Sequence, residues 1–370
     1  MLKLNLIRNT WCTMLLWLYS LRSDPFCPAK SPSLQTRQQD FYTNFKLAVF
    51  KNIKNKSFAL AVSGGPDSLC LAYFAKIYAS EFGNKIHVLI VDHNLRKKSG
   101  KEALKVKEIL GKRKISSKIL SWKGEVPKSN IQKKARDIRY VLLSNYCLKN
   151  KVKYLITAHH GDDQIENFFI RLLRGSGLTG LSSMPEQAKY NNNLKIIRPF
   201  LSLEKKDLKY VTLNYFKTYI KDPSNNNEKF LRVRIRKYRK NMEKEGLDTR
   251  KIIKTVDNLV SANQALNFYK NKALYKHASF VTKNKCLINK RIFSDEAQEI
   301  VFKSFSDILS LVSGTYYPPR SKKVINLINR IKKNKLIKCT LGGCILEEKN
   351  NFILISKESK IRKESYQPQK

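Results

Sequence analysis

Paired cysteines are absent from this sequence. The seven it has (Cys12, Cys27, Cys70, Cys147, Cys286, Cys339 and Cys344) are scattered and odd in number, with no Cys-x-x-Cys among them. That spacing argues against structural zinc, an iron–sulfur cluster and a disulfide framework, and a long chain without bridges belongs in a reducing compartment, the cytoplasm. Cys70 and Cys147 fall among apolar residues and are expected in the core. No apolar run reaches the roughly 20 residues that cross a bilayer. The longest candidate, residues 11–21, is too short, so no membrane association is expected. Acidic residues are scarce too: Lys and Arg number 73 against 29 Asp and Glu, a formal net charge of +44. Such a field favours polyanions, nucleic acid above all. Lys, Asn and Ile are abundant throughout, as AT-rich coding produces, so part of the excess is compositional.

Two common phosphate motifs are also missing. There is no Gly-x-x-x-x-Gly-Lys-Ser/Thr loop and no Gly-x-Gly-x-x-Gly turn. In their place stands Phe58-Ala59-Leu60-Ala61-Val62-Ser63-Gly64-Gly65-Pro66-Asp67-Ser68. Its small and apolar residues read as a buried strand that ends abruptly. Gly64 and Gly65 let the backbone turn tightly and approach an anion, and Pro66 suits the first turn of a helix. Leu69, Leu71, Ala72, Phe74, Ala75 and Tyr78 then supply a packed helical face. Strand, glycine turn and helix N-terminus hold phosphate through free N–H groups and a favourable dipole, with the Ser63 and Ser68 hydroxyls as further donors. Asp67 would repel a phosphate unless a divalent cation lay between them, which points to Mg²⁺. An ordinary βα turn uses Ser and Gly as well, but Pro, Asp and Ser in these places favour phosphate binding.

A chain of 370 residues suggests two domains. Strands are expected at 58–62, 86–92, 117–122 and 154–158, alternating with helices at 66–82, 99–113, 131–146 and 164–174. That alternation predicts an α/β fold with a doubly wound parallel sheet, whose ligands lie at the strand C-terminal ends. The polar clusters fall at those ends: residues 63–68, Asp92-His93-Asn94 and His159-His160-Gly161-Asp162-Asp163. Beyond them come a loop at 190–193, a short strand at 196–200, a helix at 203–219 capped by Ser202, and a break at Asp222-Pro223-Ser224-Asn225. A basic helix over 230–240 carries Arg232, Arg234, Arg236, Lys237, Arg239 and Lys240. Short strands are expected at 338–341, 345–347 and 352–355. The expected division is a dispensable extension at 1–40, a nucleotide domain at 41–225, a basic linker helix at 226–245 and a smaller, mainly helical accessory domain at 246–370 ending in short strands. The first stretch has the pattern of a signal peptide, but an extension from an upstream start is preferred.

Thr157-Ala158-His159-His160-Gly161-Asp162-Asp163-Gln164-Ile165-Glu166-Asn167 crowds histidines and carboxylates after a strand. Zinc proteases place His at i and i+4 with a Glu between, which adjacent histidines do not supply. One carboxylate facing a nucleotide and its cation is the better reading, with Asp163 and Glu166 on one helix face and Asp162 or Asp163 also capping. Arg136-Asp137-Ile138-Arg139-Tyr140 and Arg171-Leu172-Leu173-Arg174-Gly175-Ser176-Gly177 add arginines suited to phosphate. Arg139 and Arg174 are the candidates.

Ser-Gly-Gly-Pro-Asp-Ser resembles the pyrophosphate loop of the N-type ATP pyrophosphatases. Followed in order by Val-Asp-His-Asn-Leu-Arg (91–96), Ala-Arg-Asp-Ile-Arg-Tyr (135–140), the 157–166 segment, Arg-Gly-Ser-Gly-Leu-Thr-Gly-Leu (174–181), Arg198-Pro199 and Asp222-Pro223-Ser224-Asn225, it is similar to the tRNA(Ile)-lysidine synthetase family. The likeness is strong over 58–240, weaker to about 355 and absent over the first 40 residues. Tyr317-Pro318-Pro319-Arg320 and Thr340-Leu341-Gly342-Gly343-Cys344 resemble the accessory domain of some members, which implies that 246–370 is an accessory tRNA-binding domain. Gly161 stands where a bulkier residue is usual, and the C-terminal part is shorter than in the longest members.

The resemblance implies an adenine nucleotide alpha hydrolase-like fold and a ligase that joins free L-lysine to the wobble cytidine of tRNA(Ile) with a CAU anticodon, using ATP and Mg²⁺. It implies nucleotide contacts from Ser63, Gly64, Gly65, Pro66, Asp67, Ser68, Asp92, His93, His159 and Arg174. Catalytic roles would fall to Asp67, Asp162, Asp163, Glu166 and Arg139, with Mg²⁺ on Asp67 and Asp163. The oligomeric state stays open, a homodimer being one option. The alternatives are a tRNA thiolase of the same loop family, which would need a cysteine pair or cluster, a small-molecule amide ligase such as an NAD or GMP synthetase, and a non-enzymatic RNA-binding protein.

Overall fold

The computed structural model describes residues 34–358 apart from 96–98, 125–130, 192, 222–227, 229, 316–317 and 334–337. Most of the expected extension, the Asp222-Pro223-Ser224-Asn225 break, Arg96, Tyr317 and the Lys240 side chain lie outside the described residues. In chain order the first elements are α1 (Leu34–Ile53), β1 (Phe58–Ala61), α2 (Pro66–Phe82), β2 (Ile86–Asp92), α3 (Ser99–Gly111), β3 (Ser117–Ser121), α4 (Ile131–Lys149) and β4 (Tyr154–Ile156). Then come α5 (Gly161–Leu172), α6 (Leu178–Leu181), β5 (Gln187–Lys189), β6 (Lys195–Ile197), α7 (Lys205–Phe216), α8 (Leu231–Lys244) and α9 (Thr249–His277). The last are β7 (Ala278–Thr282), β8 (Lys285–Asn289), α10 (Ile292–Asp295), α11 (Gln298–Ser313), α12 (Ser321–Lys332), β9 (Lys338–Leu341), β10 (Cys344–Lys349) and β11 (Phe352–Lys357). The chain forms two compact units: residues to Gly161 with Glu186–Pro223, and Asp162–Pro185 with Ser224 onward. The second unit thus takes in α5 and α6, well before the boundary expected near 225–245.

The first unit is the doubly wound sheet. Its strand order is β3-β2-β1-β4-β6-β5, parallel except for the edge strand β5, which runs antiparallel to β6. The two-residue period of a strand divides β1 between two cores. Phe58 and Leu60, with Val62 just beyond, join α1, α2, α3 and α7 on one side, while Ala59 meets Leu143 and Cys147 of α4 on the other. On the first side Phe45 lies 5.7 Å from Phe74 and 5.8 Å from Phe200, ring centre to ring centre. Burial of each such ring contributes about 1.5–3 kcal/mol. α1 begins inside the stretch expected as an extension, and Gln38 donates to the Tyr73 hydroxyl at 3.2 Å. Cys70 and Cys147 are buried, as their neighbours imply.

The chain steps outward from β1 to β2 to β3, then returns to β4 on the far side of β1. That reversal opens a crevice at the C-terminal ends of β1 and β4, the place where such sheets bind ligands. One expected cap is corrected: the N-cap of α7 is Glu204, in extended conformation (φ −86°, ψ 149°), with no side-chain cap bond. Ser202 falls in the turn before it, where Leu203 N–H donates to the Phe200 carbonyl at 2.9 Å.

The second unit pairs helices with an antiparallel sheet of order β7-β8-β11-β10-β9. Val301, Phe305, Ile308, Leu309 and Val312 of α11, and Val324, Leu327, Ile328 and Ile331 of α12, recur at helical spacing and pack with Cys286, Ile288, Leu346, Ile353 and Ile355 of the strands. A smaller cluster joins Ile165 of α5 to Ile252 and Val256 of α9. Among the described residues no helix is long and apolar enough to cross a membrane.

The two loop glycines differ. Gly64 has φ +84°, and a Cβ there would lie 2.4 Å from Val106 Cγ2 and 3.3 Å from Ile220 Cδ1. Gly65 has φ −71°, and a Cβ there would meet nothing closer than Ser63 Oγ at 3.8 Å. Gly64→Ala should therefore lower unfolding stability by about 1–3 kcal/mol through overpacking and a strained backbone. Gly65→Ala should change it by less than about 0.5 kcal/mol. Urea denaturation of the two variants checks the contrast; equal losses would contradict it.

Candidate nucleotide site

β1 ends at Ala61, and the next residues turn into α2. The turn is held from several directions. Gly64 C=O accepts from Ile220 N–H at 2.8 Å, and Pro66 C=O accepts from the Thr212 hydroxyl at 2.6 Å. Ser68, buried in the first turn of α2, donates through Oγ to Gly65 C=O at 3.0 Å and accepts from Ser63 N–H at 3.2 Å. Its Oγ also lies 3.3 Å from Ser63 Oγ. Ser68 thus knots the loop instead of standing out from it as a ligand donor. The N-cap of α2 is Gly65, no side chain caps that end, and Pro66 carries no N–H. A helix of 17 residues therefore presents uncapped amides and the positive end of its dipole at the switch point.

Asp67 stands at the same end. Its Oδ2 lies 3.6 Å from Nε2 of His160, and its Oδ1 is buried with no hydrogen-bond partner among the described residues. An acceptor in that state is costly unless something positive completes it, so the atom fits a cation. His160, buried at the end of β4, bridges to Phe200. Beside it, half-buried His159 has Nδ1 2.9 Å from the Thr157 hydroxyl. At the end of β2, Asp92 Oδ1 accepts from Asn94 N–H at 2.9 Å and His93 Nδ1 accepts from Leu95 N–H at 3.3 Å, closing a turn in which Asn94 has φ +50°. Arg139 lies exposed on α4. It is Arg136 that sits over the Tyr140 ring, at 5.5 Å, while Tyr140 stacks on Tyr190 at 5.4 Å.

The remaining candidates belong to the second unit. Glu166, almost wholly buried on α5, takes a two-pronged ion pair from Arg236 of α8: Nε to Oε1 at 2.5 Å and Nη2 to Oε2 at 3.2 Å. One turn away Arg239 Nη1 reaches Asp162 Oδ1 at 2.5 Å, and the same guanidinium donates to Glu243 and to the Thr249 hydroxyl, each at 2.8 Å. Burial works against the charge of both arginines, but their carboxylate partners prevail and raise both above the usual arginine range. Asp163 is in neither pair, and Arg174 is exposed just past α5.

Arg236 and Arg239 lie on the helix expected as a basic linker, and the structure engages them with Glu166 and Asp162. Their spacing of three residues, matched to the four-residue spacing of Asp162 and Glu166 on an antiparallel neighbour, is the signal that could have found the pairs. His160, Thr212 and Ile220 were also missed as partners of the loop. Among the described residues no cluster of three or more His, Cys, Asp and Glu could hold a metal.

A family model described as "PP-loop domain" matches residues 35–241. The tRNA(Ile)-lysidine synthase of Orientia tsutsugamushi (strain Boryong) is 35% identical over 318 residues, 82% of this chain and 70% of that protein. The tRNA(Ile)-lysidine synthase of Wolbachia pipientis wMel is 35% identical over 326 residues, 84% of this chain and 74% of that protein. Among solved structures, the U34-tRNA thiolase of Methanococcus maripaludis with its [4Fe-4S] cluster matches with a TM-score of 0.50 and 20% identity, over 64% of this chain and 87% of that one, a likeness of fold alone. With a pyrophosphate-type loop at the switch point of its sheet and relatives of this closeness, the chain belongs to the tRNA(Ile)-lysidine synthase family of PP-loop, ATP-using ligases.

Proposed function

We propose that the chain modifies a tRNA(Ile) with a CAU anticodon, joining free lysine to position 2 of the wobble cytidine at the expense of ATP. The observation that carries this reading is the loop at residues 63–68, where an uncapped helix N-terminus lies beside a carboxylate oxygen that lacks a partner among the described residues. In the first step the cytosine 2-oxygen attacks the α-phosphorus of ATP, an O–P bond forms, the bond to the β-phosphate breaks and pyrophosphate leaves. In the second the lysine ε-amine attacks C2, the C–N bond forms and AMP departs with the former carbonyl oxygen, while the amine proton passes to a base.

Backbone amides of the loop would hold the leaving pyrophosphate in fixed positions, needing no rearrangement as charge develops. Asp67 would hold Mg²⁺, which when bound with ATP supplies positive charge to the phosphate oxygens. Nucleotide contacts from Asp92, His93, His159 and Arg174, a catalytic role for Arg139 and a second metal contact from Asp163 rest on the motif resemblance. The α5 carboxylates as a group suit the lysine ammonium, with Arg236 and Arg239 as positioning residues. The wobble base must leave its stack to be attacked at position 2, and the +44 chain supplies the field for the RNA backbone. Release of AMP that requires both tRNA and free lysine tests the whole reading; release without either would overturn it.

A thiolase reading needs a reactive cysteine, with a lowered pKa and access to solvent. Of the five described cysteines, Cys70, Cys147, Cys286 and Cys344 are buried and Cys339 is half-buried. Burial pushes Cys147 up to about 12, Cys286 up to about 11, and Cys70, Cys339 and Cys344 upward as well.

Asp67→Ala should abolish tRNA-dependent ATP–pyrophosphate exchange while leaving tRNA affinity within about twofold, since surface charge dominates binding; a collapse of affinity with exchange intact would show the loop misread. Arg232→Gln and Arg234→Gln should weaken tRNA binding without loss of stability. Arg236→Gln should destabilise the fold by about 2–3 kcal/mol, because it strands Glu166 without its partner. Binding titrations and denaturation curves on the single variants separate the two effects. In native protein at pH 8, iodoacetamide mapping by mass spectrometry should leave Cys70, Cys147, Cys286 and Cys344 unmodified. Rapid labelling of any of these, with loss of activity, would favour thiol chemistry.

A further inference from the structure

The last turns of α9 and the strand that follows leave large apolar side chains in solvent. Phe268, Tyr269 and Tyr275 are 66%, 56% and 92% exposed, and Phe280 and Val281 of β7 are exposed beyond them. At 100° per residue, Phe268, Lys272 and Tyr275 (i, i+4, i+7) share one face, while Ala273 and His277 of the same helix are buried. The Phe268 and Tyr269 rings meet edge to face, 5.5 Å apart. A patch of this kind marks a contact surface.

The charges decide the class of partner. Lys270, Lys272 and Lys276 alternate with the rings, and Asp257 is the single acidic residue among the 29 of α9. Lys270 is paired with Asp307, and Lys276 with Asp295 at 2.7 Å; Lys272, between Phe268 and Tyr275, is exposed. A second copy of this chain would bring further positive charge, from a protein of net +44, against the same lysines. An unpaired RNA strand offers the complement: a phosphate at every nucleotide for the ammonium groups and a π face on every base for the rings. A base-paired duplex offers the phosphates but hides the faces.

We propose that the α9 face centred on Phe268, Lys272 and Tyr275 docks unpaired nucleotides of the RNA substrate by stacking. That the RNA is a tRNA rests on the function proposed above; the stacking does not. The probes are an unmodified tRNA(Ile) transcript with a CAU anticodon, an oligouridine of about 12 nucleotides, within the site sizes of single-strand binders, and a duplex of matched charge. The double variant Phe268→Ala, Tyr275→Ala should bind oligouridine and tRNA about tenfold or more weakly, with the duplex unaffected and the salt slope unchanged. Lys272→Gln should lower the log–log salt slope by about 0.7, and the conservative pair Phe268→Trp, Tyr275→Phe should retain affinity. Unchanged affinity of the alanine variant for oligouridine, or an equal loss on the duplex, overturns the proposal. So does sedimentation showing that the variant splits a wild-type dimer with RNA affinity intact. Lysine incorporation into tRNA is assayed in parallel: if it fails while the oligouridine result stands, the tRNA reading falls and the docking face survives.

Discussion

The loop that defines this protein takes its shape from one left-handed residue. Gly64 at φ +84° sits so close to Val106 of α3 and to Ile220 that there is no room for a side chain. The same residue accepts the Ile220 amide, and the neighbouring Pro66 carbonyl accepts Thr212 of α7. Three segments far apart in sequence must therefore be in place before the turn has its final form. The donors of such a loop belong to the folded unit as a whole, which is what makes them preorganised for an anion and not merely close to one. It also explains why the loop lies at the switch point: only there do β1 and β4 both end, bringing Asp67 and His160 within 3.6 Å.

Acidic residues, outnumbered 73 to 29, are placed with economy. In the second unit Asp162, Glu166, Asp295, Asp307, Glu347 and Glu348 each lie against a basic side chain, and the pairs tie helix to helix, strand to strand or, for Lys290 and Glu348, a turn to a strand. The Glu166–Arg236 and Asp162–Arg239 pairs run in opposite senses along α5 and α8, so together they fix a register as well as a contact. Partial burial of both arginines makes these pairs less sensitive to salt than exposed ones. The large surplus of lysines is left without compensation, and it is this surplus that presents a field to a polyanion.

The parallel strands were legible because strands buried on both faces read as continuous apolar runs. Phe58 to Val62, between Ser57 and Ser63, and Val88 to Val91, between His87 and Asp92, are such runs. Gln187–Lys189 was not, since an edge strand of Gln-Ala-Lys carries no apolar signal. β7 and β8 were hidden for another reason: α9 passes into β7 at Ala278, already extended (φ −118°, ψ 136°), with no Gly or Pro to mark the change. The loop candidates at 63–68 could be named from residue types, but Ser68's place inside the knot could not, because it depends on distances to Ser63 and Gly65. The chain first passes from one unit to the other between Gly161 and Asp162, inside a single motif. Nothing in its composition changes there.

The distribution of positive charge carries the argument one step further. In a chain where 73 of 370 residues are Lys or Arg, residues 57–75 and 154–170 contain neither. A composition shaped only by coding bias would not spare the two stretches that hold the phosphate loop and the carboxylate motif. A lysine there would bring a full charge on a flexible stem, held in no fixed geometry. Backbone amides and a helix dipole instead provide partial charges that stay where the fold puts them. Where full positive charge does reach α5, it comes from α8, on guanidinium forks that the carboxylates hold at both prongs for Glu166 and beside further acceptors for Asp162. Charge at these two segments is thus set by tertiary structure and not by composition.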